Sequence, residues 1–201
     1  MTICASKKEC PVCDSNCVRF GSENLNREEI EGKRVLEVGS YDVNGSLRSG
    51  VMKHNPSEYV GVDIERGPGV DVVCGSDAIV KLFGKESFDV VISTCVLEHV
   101  VSCKPSISAM KNVCKTGGII ILIVPSVWPL HNHPVDCWRF SKKDIAAIFE
   151  DFDILILDEK PTFHGAKIGD LVYLKARKPE GFIEKDITDC KIYHIQSGKR
   201  A

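Results

Sequence analysis

Long apolar runs are missing from this chain. None approaches the roughly 20 residues that a membrane-spanning helix requires, so no membrane span is expected. An excess of charge of either sign is missing too. Lys and Arg number 26 against 28 Asp and Glu, for a net charge of −2 and a pI of about 6.3. That balance gives no pull toward nucleic acid or an anionic membrane surface, and nucleic acid is not an expected partner. Internal repeats and low-complexity tracts are absent, as is a second full domain. A Gly-x-Gly-x-x-Gly cradle is absent as well: after Gly39, Tyr41 and Asn44 stand where the second and third glycines would be. Acids at Glu37 and Asp42 would repel a pyrophosphate, so a dinucleotide is not the expected ligand.

Cysteine, by contrast, is plentiful, with ten residues. Six are scattered from Cys74 to Cys190, several inside apolar runs where the thiol acts as a small buried hydrophobe. The first residues are polar and Cys-rich, unlike a signal peptide. A reducing, cytoplasmic setting without a disulfide framework is therefore expected. Cys4, Cys10, Cys13 and Cys17 crowd into residues 1–21, set apart here as a Cys-rich extension. Cys10-x-x-Cys13 has the spacing of a metal knuckle, and the four thiols together match a structural zinc site. The second Cys-x-x-Cys of a zinc ribbon does not follow, so unligated thiols remain the alternative.

Residues 22–178 alternate strand-like and helix-like segments. Asn26 is placed to cap a short helix at Arg27–Ile30. Strands are expected at Val35–Val38, Tyr59–Ile64, Val70–Cys74, Phe88–Ser93 and Ile119–Val124, the last a continuous apolar run suited to a doubly covered central strand. Helices are expected over Gly45–Lys53, Asp77–Phe83 and Ser106–Lys115, with Pro105 in the first turn of the last. Ser141 and Asp144 form a capping box opening a helix through Phe149. Phe152–Leu157 and Leu171–Ala176, joined without a helix through a loop containing Gly165 and Gly169, predict an antiparallel hairpin at the sheet edge. Residues 179–201 are polar and read as a C-terminal tail. The pattern is that of an α/β fold: a mostly parallel sheet of about seven strands with helices on both faces.

In such a sheet ligands sit at the C-terminal strand ends. Glu37-Val38-Gly39 ends the first strand, and Asp63 ends the second, placed for a ribose diol. From Arg34 to about Lys178 the chain resembles the class I S-adenosylmethionine-dependent methyltransferases, in the correct order along about 145 residues. Glu37–Gly39 resembles the first motif, Asp63 the ribose acid, Gly75–Ala78 the segment beside adenine, and Phe88–Val100 the fourth motif with its Leu97-Glu98-His99 helix start. The resemblance implies a Rossmann-like methyltransferase fold with S-adenosyl-L-methionine as cofactor. Its expected contacts are Glu37, Gly39, Ser40, Gly45, Asp63, Ile64, Ser76, Asp77, Thr94 and Cys95. The missing central glycine of the first motif is the departure. A non-catalytic binding member of the same fold and a nucleotide-dependent oxidoreductase are the rival readings.

Methyl transfer rests on holding an acceptor near attack distance, with a base where the acceptor must lose a proton. The polar and aromatic run Pro125–Phe140 follows a central strand and supplies candidates. His133, Asp136 and His99 are the catalytic candidates; His131, Trp138 and Arg139 are the substrate-side ones. Each has a structural alternative: His99 packing at a helix start, His131 and His133 bonding to backbone, Trp138 acting as a packing lid, Arg139 pairing with Asp136. Some methyltransferases hold a divalent ion with Glu-x-x-Glu-His. Here the first Glu is Cys95, leaving Glu98, His99 and His133 for such a site and weakening it for Mg²⁺. The absence of an Asn/Asp-Pro-Pro-Tyr/Phe motif at Ser93–Val96 argues against an exocyclic-amine DNA substrate. A small molecule or a glycan- or lipid-linked intermediate is the expected acceptor.

Overall fold

A computed structural model describes residues 15–43, 45–131, 135–164 and 167–201. The β-branched runs pair into one seven-stranded sheet: β1 (Arg34–Val38), β2 (Glu58–Asp63), β3 (Val72–Val73), β4 (Phe88–Thr94), β5 (Cys114–Val127), β7 (Asp153–His164) and β8 (Lys167–Arg177). The spatial order is β3-β2-β1-β4-β5-β8-β7. The first five strands are parallel, while β8 runs antiparallel between β5 and β7. This is the mixed sheet with a hairpin edge that the sequence predicts.

Alternation along the strands divides the core into two layers. Leu36, Val38, Val91, Ile120, Leu122, Val124, Val172 and Leu174 face one side. There they meet α4 (Ile79–Phe83), α5 (Cys103–Val113) and α6 (Lys142–Ile148). Val35, Val90, Ile92, Ile121, Ile123 and Tyr173 face the other. They meet α1 (Ser15–Asn24), α2 (Arg27–Ile30) and α3 (Arg48–Val51). Each such aliphatic side chain contributes about 1.5–3 kcal/mol by leaving water.

Several elements differ from the sequence expectation. The helix expected over Gly45–Lys53 is four residues of α3 followed by a 3-10 turn, Met52–His54, closed by Asn55 at φ 54°. Gly45 itself, at φ 113°, belongs to the preceding loop. The third strand keeps only Val72–Val73. The fifth begins at Cys114, which pairs with Phe88, so the helix before it ends earlier. Gly169 is a strand residue opposite Thr162 and not a loop residue. A Cβ there would lie 2.2 Å from the Trp128 ring, which explains the glycine. Gly165 lies outside the described residues. Residues 179–201 dock onto the body: β9 (Tyr193–His194) pairs with β10 (Lys199–Arg200) and with β6 (Trp138–Arg139). Ile187 and Ile192 are buried in the core layer there.

Candidate active site

The strand order reverses between β1 and β4, and the loops after these strands meet there. Gly39 sits at φ 80°, and a Cβ on it would lie 2.0 Å from Val96 Cγ2. Both its conformation and this contact require glycine. Gly39 and Ser40 donate their N–H groups to Val62 O at 2.8 and 3.0 Å, tying the first loop to β2. Ser40 is buried against Gly61 beneath the loop. Gly45 donates its N–H to Asp42 Oδ1 at 2.9 Å. Glu37 is buried at the end of β1, with Ser46 Oγ donating to it at 3.3 Å. Asp63 is half-buried at the end of β2. It accepts from Tyr41 N–H at 3.3 Å and Glu65 N–H at 3.1 Å. Ile64 beside it is 63% exposed, and Asp77 is also exposed. Ser76 Oγ shares a 2.7 Å hydrogen bond with Ser106 Oγ. Thr94 ends β4, and Cys95 turns the chain at φ 53°, its N–H held by Ile123 O at 2.8 Å. The fold thus brings the first loop, Asp63 and Thr94–Cys95 to one end of the sheet.

Next to Cys95, a 3-10 turn at Leu97–His99 carries a polar cluster. Ligand atoms of Glu98, His99 and His131 lie within 4.8 Å of one another. Glu98 is fully buried, and among the described residues neither of its carboxylate oxygens has a hydrogen-bond partner. Burial pushes its carboxyl pKa up. His99 Nδ1 lies 2.6 Å from Val135 O, a contact that calls for a proton on Nδ1 and turns the Nε2 lone pair toward Glu98, 3.8 Å away. His131 Nδ1 lies 3.0 Å from Asp136 Oδ2 and 3.1 Å from Pro129 O, which likewise leaves the lone pair on Nε2. That Nε2 is buried without a hydrogen-bond partner among the described residues. Two oriented imidazoles and a carboxylate thus converge on one point, with a carbonyl and a carboxylate fixing the rings from behind.

Asp136 and Arg139 are buried and paired through two hydrogen bonds, 2.5 and 2.7 Å. Burial alone would raise the Asp136 pKa, but bonds from Arg139 and His131 outweigh it and hold the carboxyl well below the usual range. Arg139 also donates to the carbonyls of Trp128, Pro129 and Trp138. Its donors are used inside the protein, which is the pairing alternative and not the anchoring of a substrate carboxylate. Trp138 donates Nε1–H to Val100 O at 2.8 Å and sets its ring edge-on to His194. His133 lies outside the described residues, as do Cys4, Cys10 and Cys13; Cys17 is buried in α1.

Sequence reasoning missed the supports. A Cβ on Gly67 would lie 2.0 Å from the Tyr41 ring and one on Gly69 2.4 Å from Ser40 O, so residues 67–69 press on the first loop. The Gly67-Pro68-Gly69 spelling is the signal for it. Ile195 N–H and Gln196 Nε2 donate to Cys137 O and Asp136 O, buttressing the substrate-side segment. No local pattern in the polar C-terminus announces that role.

The strand order, with its reversal between β1 and β4, is that of the Rossmann-like methyltransferase fold. Residues 36–122 match the model of the methyltransferase domain family. A ubiquinone biosynthesis O-methyltransferase from Idiomarina loihiensis is 30% identical over 123 residues, covering 55% of this chain and 49% of that protein. The chain thus aligns with about half the length of this curated relative. Among solved structures, the 1,6-didemethyltoxoflavin-N1-methyltransferase of Burkholderia thailandensis, bound to S-adenosylhomocysteine, superposes with a TM-score of 0.62 at 15% identity. The match covers 82% of this chain and 79% of that one. A Mesorhizobium loti S-adenosylmethionine-dependent methyltransferase gives 0.55 at 16% identity, over 79% and 96%. At these identities the structures establish the fold.

Proposed function

We propose that this protein transfers a methyl group from S-adenosylmethionine to a small molecule, or to a glycan- or lipid-linked intermediate, held beside the Glu98–His131 cluster. The observation carrying the reading is the meeting of Gly39, Asp63 and Thr94–Cys95 at the point where the strand order reverses. In this reading Asp63 would accept from both ribose hydroxyls, and the Gly39 turn would let the first loop pass close to the methionine half. Glu37 stands at the strand end, where a cationic amino group is favoured.

The cluster would act on the acceptor. Glu98, with its raised pKa, and the Nε2 atoms of His99 and His131 can take a proton from an acceptor hydroxyl or amine. Asp136 and Arg139 position His131 and do not touch the acceptor. The same three groups fit a divalent ion, because the Glu98 carboxylate and His131 Nε2 have no hydrogen-bond partner among the described residues and the rings are held by outer groups. Glu98, His99 and His131 would hold it, and when bound it would lower the pKa of an acceptor hydroxyl. The nitrogen donors favour Mn²⁺, Co²⁺ or Zn²⁺ over Mg²⁺.

Calorimetric titration with S-adenosylhomocysteine tests the cofactor reading. Saturable binding is expected, weakened at least about tenfold in Asp63→Ala, since a charged hydrogen bond contributes about 1.5–3 kcal/mol. Equal affinity in the variant, or no binding by the wild type, would contradict it.

A further inference from the structure

We propose that Tyr59 is a positioning residue for the cofactor's amino-acid head: its hydroxyl holds the Glu37 carboxylate, and Glu37 takes the ammonium group. The proposal rests on the reading of these strand ends as an S-adenosylmethionine site. Tyr59 and Glu37 lie on paired strands, with Val35 opposite Tyr59 and Glu37 opposite Gly61. Glu37, two positions after Val35, shares its face of β1, and Tyr59 packs into the same layer as Val35. The two side chains are therefore diagonal neighbours, within reach for an aromatic residue. Glu37 is 4% exposed. The Tyr59 hydroxyl is buried and has no hydrogen-bond partner among the described residues. A buried hydroxyl in that state is costly and calls for an acceptor. Burial holds the phenol protonated, far above its usual pKa, and the adjacent Glu37 charge acts next and in the same direction. Asp71 adds to this, while Arg48 opposes it.

The ring is clamped from its face. The Arg48 guanidinium lies over it, 4.6 Å from the centroid, and pairs with Asp71. Asp71 accepts from Gly61 N–H at 2.7 Å, which ties it to the residue opposite Glu37. Arg48 also donates to Tyr59 O at 3.3 Å. Ser46 joins the two halves, because its Oγ donates to Glu37 at 3.3 Å and accepts from Arg48 N–H at 3.0 Å. Hydroxyls thus approach Glu37 from β2 and from the start of α3. The short helix α3 has a role here, since it carries Arg48 over the Tyr59 ring.

The chemistry follows from burial. A buried carboxylate is kept ionised by donors that serve its oxygens. Once ionised and fixed in place, it attracts the ammonium and sulfonium charges of the cofactor more strongly than it would in water. Phenylalanine at position 59 would keep the ring beneath Arg48 and remove only the donor.

Calorimetric titration of the full chain with two probes tests this. One is S-adenosylhomocysteine. The other is methylthioadenosine, which keeps the nucleoside and the thioether but lacks the amino-acid head. Tyr59→Phe should weaken S-adenosylhomocysteine binding about tenfold, the scale of one hydrogen bond to a charged group, and leave methylthioadenosine binding within about twofold of wild type. In a Glu37→Gln background, Tyr59→Phe should cost little more, because the hydroxyl acts through the carboxylate. A merely structural role would weaken both ligands alike and would add to the effect of Glu37→Gln. Unchanged S-adenosylhomocysteine affinity in Tyr59→Phe, equal losses for the two ligands, or full additivity with Glu37→Gln would each overturn the proposal. A wild type that does not bind S-adenosylhomocysteine would remove the cofactor reading itself, and the proposal with it.

Discussion

Two buried carboxylates thirty-eight positions apart, Glu98 and Asp136, sit in one loop cluster and are treated oppositely by their surroundings. Asp136 is satisfied by Arg139 and His131, whereas Glu98 is not satisfied by any described group. Truncating Arg139 to Ala leaves Asp136 as an uncompensated buried charge and should cost about 3–5 kcal/mol, measurable by urea unfolding. A loss under about 1 kcal/mol would contradict the pairing. Glu98 carries the reverse sign. Its folded pKa lies above its unfolded value, so the native state binds the extra proton and stability falls as pH rises from about 4.3 toward the folded pKa. Glu98→Gln should remove that slope and raise the thermal midpoint at neutral pH, followed by scanning calorimetry in metal-free buffer. A lower midpoint would show that the carboxylate is stabilised as an ion. The residue types of this cluster were legible in the sequence, and so was the Asp136–Arg139 pairing alternative. The division between acting and positioning groups was not, because it depends on which donors are consumed by carbonyls of Trp128, Pro129 and Trp138, contacts that no spacing rule encodes.

Elements with a complete local signal came out as read. Ser141 and Asp144 form the reciprocal capping box, Ser141 Oγ accepting from Asp144 N–H and Asp144 accepting from Ser141 N–H. Ser141→Ala should cost about 1 kcal/mol, read as a lowered urea midpoint with unchanged slope. No change would mean that α6 is held by packing alone. Asn26 and Glu29 behave in the same way at α2. Elements without such signals moved. Ser46 Oγ accepts from Arg48 N–H, but the segment includes Gly50, and α3 is short and forms where Leu47 and Val51 find the core. The early start of β5 follows from tertiary pairing of Cys114 with Phe88, which overrides the helical spacing around Val113.

At the scale of the whole molecule, the alternation of apolar runs was enough to imply the sheet and its hairpin edge. The three-stranded sheet of β6, β9 and β10 was hidden because two-residue strands among polar residues carry no periodicity. It matters for the site, since it braces the segment holding Asp136 and Trp138. The central claim is that S-adenosylmethionine binds across the ends of β1, β2 and β4. Amide resonance mapping of the ¹⁵N-labelled protein during titration with S-adenosylhomocysteine tests it most directly. Shifts should concentrate at Gly39–Tyr41, Asp63–Ile64, Ser76–Asp77 and Thr94–Cys95, and fade in β7 and β9. Saturable shifts centred away from those strand ends, or none at all, would contradict the account.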